Sequence, residues 1–275
     1  MVKDIVVNLG LGGRDATCDY AISVAEAFEA HVLGVAIAYE PVIPGTVFGG
    51  IPPEIIDGQR READNKARAA VSRFDQAAKR AGLSSETRIL RATIAEAADQ
   101  LGRIGRRFDL AVVGQPDRAK SAPDQIVDEG VLFESGRPVI FVPFIQKDGM
   151  TLDRVIICWD GSRAAARAVA DALPFLKKAK QVEIVIVSEK PNRKDEIPGA
   201  DLGQHLARHG HKVEIKHITA PDISVASAIL SYVADSGTDM IVMGGYGHSR
   251  VREFVLGGVT RGMLESMTVP VLMSH

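Results

Sequence analysis

The chain has 275 residues, 46% of them hydrophobic, which is material for two cores of ordinary size. Its 33 basic and 35 acidic residues leave a net charge of -2 and are mixed along the chain, so there is no basic field for nucleic acid and no polybasic anchor for a membrane. The two cysteines, Cys18 and Cys158, make no disulfide framework or metal-binding pair, no apolar run approaches the roughly 20 residues of a membrane span, and no leader precedes the first strand-like segment; the expectation is a cytoplasmic protein.

In chain order, "KDIVVNLG" (3–10) reads as a strand and "DYAISVAEAFEA" as an amphipathic helix, with apolar residues three and four apart. "HVLGVAIA" is a short inner strand. The stretch "YEPVIPGTVFGGIPPEII" holds four prolines and three glycines, which exclude regular structure over most of it and predict a loop with the composition of a lid. "TIAEAADQLGRI" opens a helix with Thr93 and Glu96 at capping-box spacing. "DLAVVG" (109–114) and "RPVIFVP" (137–143) are two more strands.

The polar segment 145–153 then interrupts, and the pattern starts again. "DRVIICWDG" (153–161) repeats the first strand, "SRAAARAVADALPFL" is a helix that Ser162 can cap, and "VEIVIVS" is an inner strand. "DISVASAILSYVAD" is the next helix, "DMIVMG" (239–244) repeats "DLAVVG", and "VPVLMSH" (269–275) repeats "RPVIFVP". Apolar strands alternating with helices predict an α/β fold: two tandem open parallel five-stranded sheets with helices on both faces, over residues 1–147 and 150–275. Strands 138–143 and 270–275 are expected to meet and cover each other's edges.

The segment "MGGYGHSRVREFVLGGVTRG" (243–262) concentrates glycine just past a strand and just before a helix. Ligands of open parallel sheets lie beyond the carboxyl ends of the strands, and a glycine-led helix start offers bare amides to an anion, so phosphate is the predicted guest. Neither G-x-x-x-x-G-K-[ST] nor a full G-x-G-x-x-G is present. Gly244-x-x-Gly247, nine residues and then Gly257 resembles the nucleotide-binding signature of the universal stress proteins, and two tandem copies cover nearly the whole chain.

That resemblance implies an adenine nucleotide, ATP with or without Mg²⁺, in the C-terminal copy. It implies that Asp160 helps hold the adenosine, that the backbone of Val187 contacts adenine, and that Gly244, Gly247, Gly257 and Gly258 cradle ribose and phosphates. Gly258 stands where the family pattern has Ser or Thr, which removes a donor worth about 1–3 kcal/mol against a charged acceptor. His248, Ser249 and Arg250 are polar neighbours that could compensate, or simply a solvated loop edge.

The N-terminal copy keeps Gly114, but Pro116 and Asp117 replace the flexible turn, Gln125 and Ile126 stand at the later glycines, and Asp124, Asp128 and Glu129 crowd the helix start; no nucleotide is expected there. His205, His209 and His211 have partial zinc spacing but no acidic partner between them, and Gly210 reads as a helix stop, so no metal is expected. Cys158 and Trp159 are expected to serve the core, and no catalytic residues are assigned. Three function classes remain: a nucleotide-binding stress or signalling module acting on a protein partner, a nucleotide-free interaction module, and a weak ATP-splitting enzyme. Pairing of the two copies within the chain is expected, and a homodimer of the whole chain is left open.

Overall fold

A computed structural model describes residues 1–12, 15–41, 52–116, 123–188, 198–246 and 258–275, with only the backbone described at 123–125. Met1 aside, they form two compact units, residues 2–137 with 147–149, and residues 138–146 with 150–275. Strand 138–143 therefore groups with the second half of the chain.

The first unit carries β1 (Asp4–Asn8), β2 (His31–Tyr39), β3 (Ser85–Ala92) and β4 (Leu110–Gly114) in the order β3-β2-β1-β4, all parallel. The helices are α1 (Ala16–Phe28), α2 (Pro53–Arg80), α3 (Ile94–Gly105) and α4 (Pro123–Glu134). β1, β2 and β4 are apolar throughout their middles because helices cover both faces of a parallel sheet. The buried stripe of α2 is Ala67, Ala70, Phe74 and Ala78, at intervals of three and four. Gly34 of β2 admits it: a Cβ there would sit 2.7 Å from the Phe74 ring. α2 also begins inside the proline-rich stretch expected to be a loop. Pro53 is its first residue, a position where a missing N–H and a fixed φ cost nothing.

The second unit carries β5 (Val139–Val142), β6 (Arg154–Cys158), β7 (Gln181–Ser188), β8 (Val213–Thr219), β9 (Met240–Gly244) and β10 (Val271–Ser274), in the order β5-β10-β9-β6-β7-β8. Its helices are α5 (Arg163–Leu176), α6 (Ala200–Arg208), α7 (Val225–Ser236) and α8 (Val259–Ser266). The strands pair in parallel, except that β5 runs antiparallel to β10 with Phe141 opposite Val271 and Val139 opposite Met273. Every residue of both strands is buried, so this seam removes two edges from solvent, as the two proline-led apolar runs suggest.

Among the described residues of this unit one acidic side chain is buried. Glu183, the third residue of β7 and 5% exposed, accepts from Arg154 Nη1 at 2.6 Å and from the Tyr232 hydroxyl at 2.5 Å. Burial pushes the Tyr232 phenol up to about 12, helped by its bond to Glu183 and that carboxylate's charge, against the opposing pull of Arg154. Among the described residues no helix is long and apolar enough to cross a membrane.

Candidate functional site

Cys158, the last residue of β6, lies opposite Val185 of β7 and Met243 of β9. Val187 is two residues past Val185, Asp160 two past Cys158, and Gly244 one past Met243. Register alone therefore brings three of the residues singled out from sequence to the carboxyl ends of three adjacent strands of one unit.

The turn after β6 is built on its own hydrogen bonds. Gly161 has φ of 75°, the Ser162 amide donates to Asp160 Oδ1 at 2.9 Å, and the Ala165 amide donates to Ser162 Oγ at 3.1 Å. Ser162 thus caps α5, as its place in the sequence predicts, and Asp160 stands exposed at the start of that helix. Val187 is half-buried and opposite Ile218 of β8.

Gly244 has a structural neighbour of its own. A Cβ on it would lie 2.5 Å from the Ala165 amide nitrogen and 2.8 Å from the Ala164 carbonyl carbon. The first turn of α5 rests directly on the end of β9.

Beyond Gly244 the two ends of the glycine-rich segment are tied together. The Gly245 amide donates to the Ser274 carbonyl at 2.9 Å, and the His275 ring lies 3.2 Å from the Gly245 carbonyl. Tyr246, at φ of 50°, donates its amide to Oγ1 of buried Thr260, 3.1 Å away on the first turn of α8. Gly258 is the residue that precedes α8. Tyr246 and Thr260 bring both ends of the segment to one place, and sequence reasoning had not singled out either. Gly247, His248, Ser249 and Gly257 lie outside the described residues, as does Arg250.

Trp159 is not a core residue. It is half-buried and lines a cleft of about 250 Å³ with Ala166 and Val169 of α5 and Asp201, Leu202 and His205 of α6. The helix α6 ends as its histidines and glycine suggest, with His209 as the C-cap residue and Gly210 at φ of 86°. His211, just beyond, is held below the ordinary histidine range by burial and then by the nearby charges of His209 and Lys177. Among the described residues no group of three His, Cys, Asp or Glu side chains is placed to hold a metal.

The profile of the universal stress protein family matches residues 151–275. Residues 151–275 thus carry a universal stress protein domain. A universal stress protein of Synechocystis sp. is 27% identical over 171 residues, 60% of this chain, and the match spans 57% of that relative's length. A universal stress protein from Archaeoglobus fulgidus has the same fold, with a TM-score of 0.70 at 20% identity over 98% of this chain and 94% of its own. A functionally unknown protein from Pseudomonas aeruginosa scores 0.59 at 14% identity, over 98% and 92% of the two chains.

In the first unit, side chains tie the end of β1 to the start of α1 and to α2. Asp15 accepts from the Gly10 amide at 2.7 Å and from the Cys18 amide at 3.0 Å, bridging the end of β1 and the start of α1. Arg73, reaching over from α2, donates to the Gly10 and Gly12 carbonyls at 3.1 and 2.6 Å. Burial raises the Asp15 carboxyl above its ordinary range despite these amide donors and Arg73. Asp128 of α4, 4% exposed, accepts from Asn8 Nδ2 at 2.8 Å. Two carboxylates thus lie at the carboxyl end of β1, each accepting hydrogen bonds from residues of that strand or its turn.

Both thiols are pushed up to about 12, chiefly by burial: at Cys18 the charges of Asp15 and Asp19 add to it, and at Cys158, although part of the residue reaches the surface, that of Asp160 does. At pH 8 only about one thiol in 10⁴ would then be the reactive thiolate. Native protein treated with iodoacetamide at pH 8 is expected to stay unmodified by intact mass for hours, and to gain two adducts once unfolded in urea. Rapid labelling of native Cys158 would show that the end of β6 opens readily.

Proposed function

We propose that this protein binds an adenine nucleotide, ATP with Mg²⁺ brought in on its phosphates, at the carboxyl ends of β6, β7 and β9, and that occupancy alters its contact with a protein partner in a stress response. The observation that carries this reading is the register that sets Asp160, Val187 and Gly244 side by side, with Gly258 drawn in by the Tyr246–Thr260 bond. Asp160 is exposed and can accept from ribose or base, the Val187 backbone ends a strand at the same level, and the start of α8 offers amides to phosphate. No residue in this set is a positioned base beside a nucleophile, so the reading is binding without strong catalysis.

Calorimetric titration with ATP and Mg²⁺ tests it. Wild type is expected to bind one equivalent, Asp160→Ala about tenfold more weakly, and Gly258→Ser about fivefold more tightly, since a hydroxyl donor to phosphate adds about 1 kcal/mol. No heat at millimolar ATP with either wild type or Gly258→Ser would sink the proposal. A nucleotide-free interaction module is the second reading, and one observation favours it: the glycine at 244 is already accounted for by the packing of α5.

A further inference from the structure

β8 is last in the strand order of its unit, so one of its long sides meets no strand among the described residues. The Ala220 amide donates to the Ser188 carbonyl at 2.9 Å. Backbone groups alternate sides along a strand, so residues 214, 216 and 218 address β7, whereas Ile215 and Thr219 direct theirs outward.

Between β8 and α7 lies a cleft of about 580 Å³. One wall is Lys216 through Thr219, residues whose side chains leave on opposite faces, so the surface they share is the strand's backbone edge. The other wall is α7, which runs back antiparallel to β8 and contributes Ala228, Tyr232 and Asp235. Four strand residues give the groove a length of about 13 Å, that of a short extended peptide.

The lining has a chemical pattern. Ile218, Ala220 and Ile223 are its apolar end, and Ile223 is 53% exposed, one of few large apolar side chains so placed among the described residues. Lys216 is folded over the Tyr232 ring, its Nζ 5.7 Å from the centroid. Asp222 and Asp235 are exposed at the rim, and neither is in an ion pair among the described residues.

We propose that this groove takes an extended peptide segment of a partner protein, added to β8 as a further strand, with an apolar side chain against Ile218, Ala220 and Ile223 and basic side chains facing Asp222 and Asp235. Main-chain bonds to the outward groups of Ile215 and Thr219 supply affinity, and the groove between strand and helix supplies selectivity. The segment is the partner contact that the proposed signalling role calls for, yet the geometry does not depend on nucleotide binding.

A phage-displayed library of random dodecapeptides, selected on the immobilised full chain, tests the assignment. Enriched sequences are expected to carry an apolar residue flanked by Lys or Arg. A labelled peptide of that sequence, followed by fluorescence anisotropy, should bind Thr219→Pro at least tenfold more weakly, because only an outward N–H is lost. The Asp222→Lys, Asp235→Lys double variant leaves the backbone untouched and should bind the peptide as weakly. Both variants should keep the ATP heat of wild type, so failure at β8 and failure of the nucleotide reading give different results. No enrichment, or enriched peptides that bind wild type and both variants alike, would overturn the proposal. So would a chain dimer in sedimentation that both variants dissociate without any peptide being enriched, since the edge would then belong to a second copy.

Discussion

A Gly244→Ala protein should lose about 2–3 kcal/mol of stability, and Gly244→Val should lose most of its native fold. The new Cβ would meet backbone atoms, the Ala165 nitrogen at 2.5 Å and the Ala164 carbonyl carbon at 2.8 Å, and no flexible side chain there can swing away. The strain can be relieved only by lifting α5 from β9, which would also move the Ser162 cap and the Asp160 turn. Gly203 in α6 is the matched control. A Cβ there meets Ile215 and Val213 at 3.5 and 3.7 Å, ordinary contact, so Gly203→Ala should stabilise the same unit by about 0.5–1 kcal/mol through helix propensity. Trp159, the chain's single tryptophan, reports this unit in a urea titration. Equal midpoints for Gly244→Ala and wild type would show that α5 backs away freely, and the glycine would then have to be explained by a ligand.

That comparison bears on what glycine in a sequence can reveal. The repeated strand–helix alternation was legible because periods of two and of three to four differ plainly, and because "DLAVVG" and "DMIVMG" became β4 and β9 at the same place in each half. Local caps were legible too. Thr93 and Glu96 form their box, the Thr93 amide donating to Glu96 Oε2 at 2.9 Å, and Ser162 caps α5. Asp160 and Val187 reach the end of the sheet because strand register follows from the hydrophobic pattern. What stayed hidden was long-range. Thr260 meets Tyr246 across fourteen residues, and nothing near either one in sequence announces the bond. Asp15 takes up the Gly10 amide from five residues on, and Arg73 arrives from a different helix. The proline-rich stretch misled over its last residues because Pro53 opens a helix as readily as it breaks one. A charge inside "QVEIVIVS" was the one local sign that a strand of otherwise apolar residues carries a buried polar network.

Glu183→Ala should cost about 3 kcal/mol. It leaves the Tyr232 hydroxyl and the Arg154 guanidinium without the carboxylate that receives both, and the Arg154 side chain, 29% exposed, can recover only part of the loss from water. Replacing the whole set with Arg154→Met, Glu183→Leu and Tyr232→Phe should bring stability back to within about 1 kcal/mol of wild type, because a buried ion pair repays its desolvation only in part and an apolar set of similar volume pays none. The network also leaves a signature in alkali. The Tyr232 phenol is raised from 10.0 to about 12 in the folded chain, so between those values the unfolded chain releases a proton that the folded chain keeps. Stability must then fall as pH rises from 10 toward 12, and Tyr232→Phe should remove that part of the slope. Urea midpoints followed by Trp159 fluorescence across this range read both effects. A Glu183→Ala midpoint within about 0.5 kcal/mol of wild type, or an alkaline slope unchanged in Tyr232→Phe, would mean that water rather than the protein satisfies these groups, and the network would not be what pins β6, β7 and α7 together.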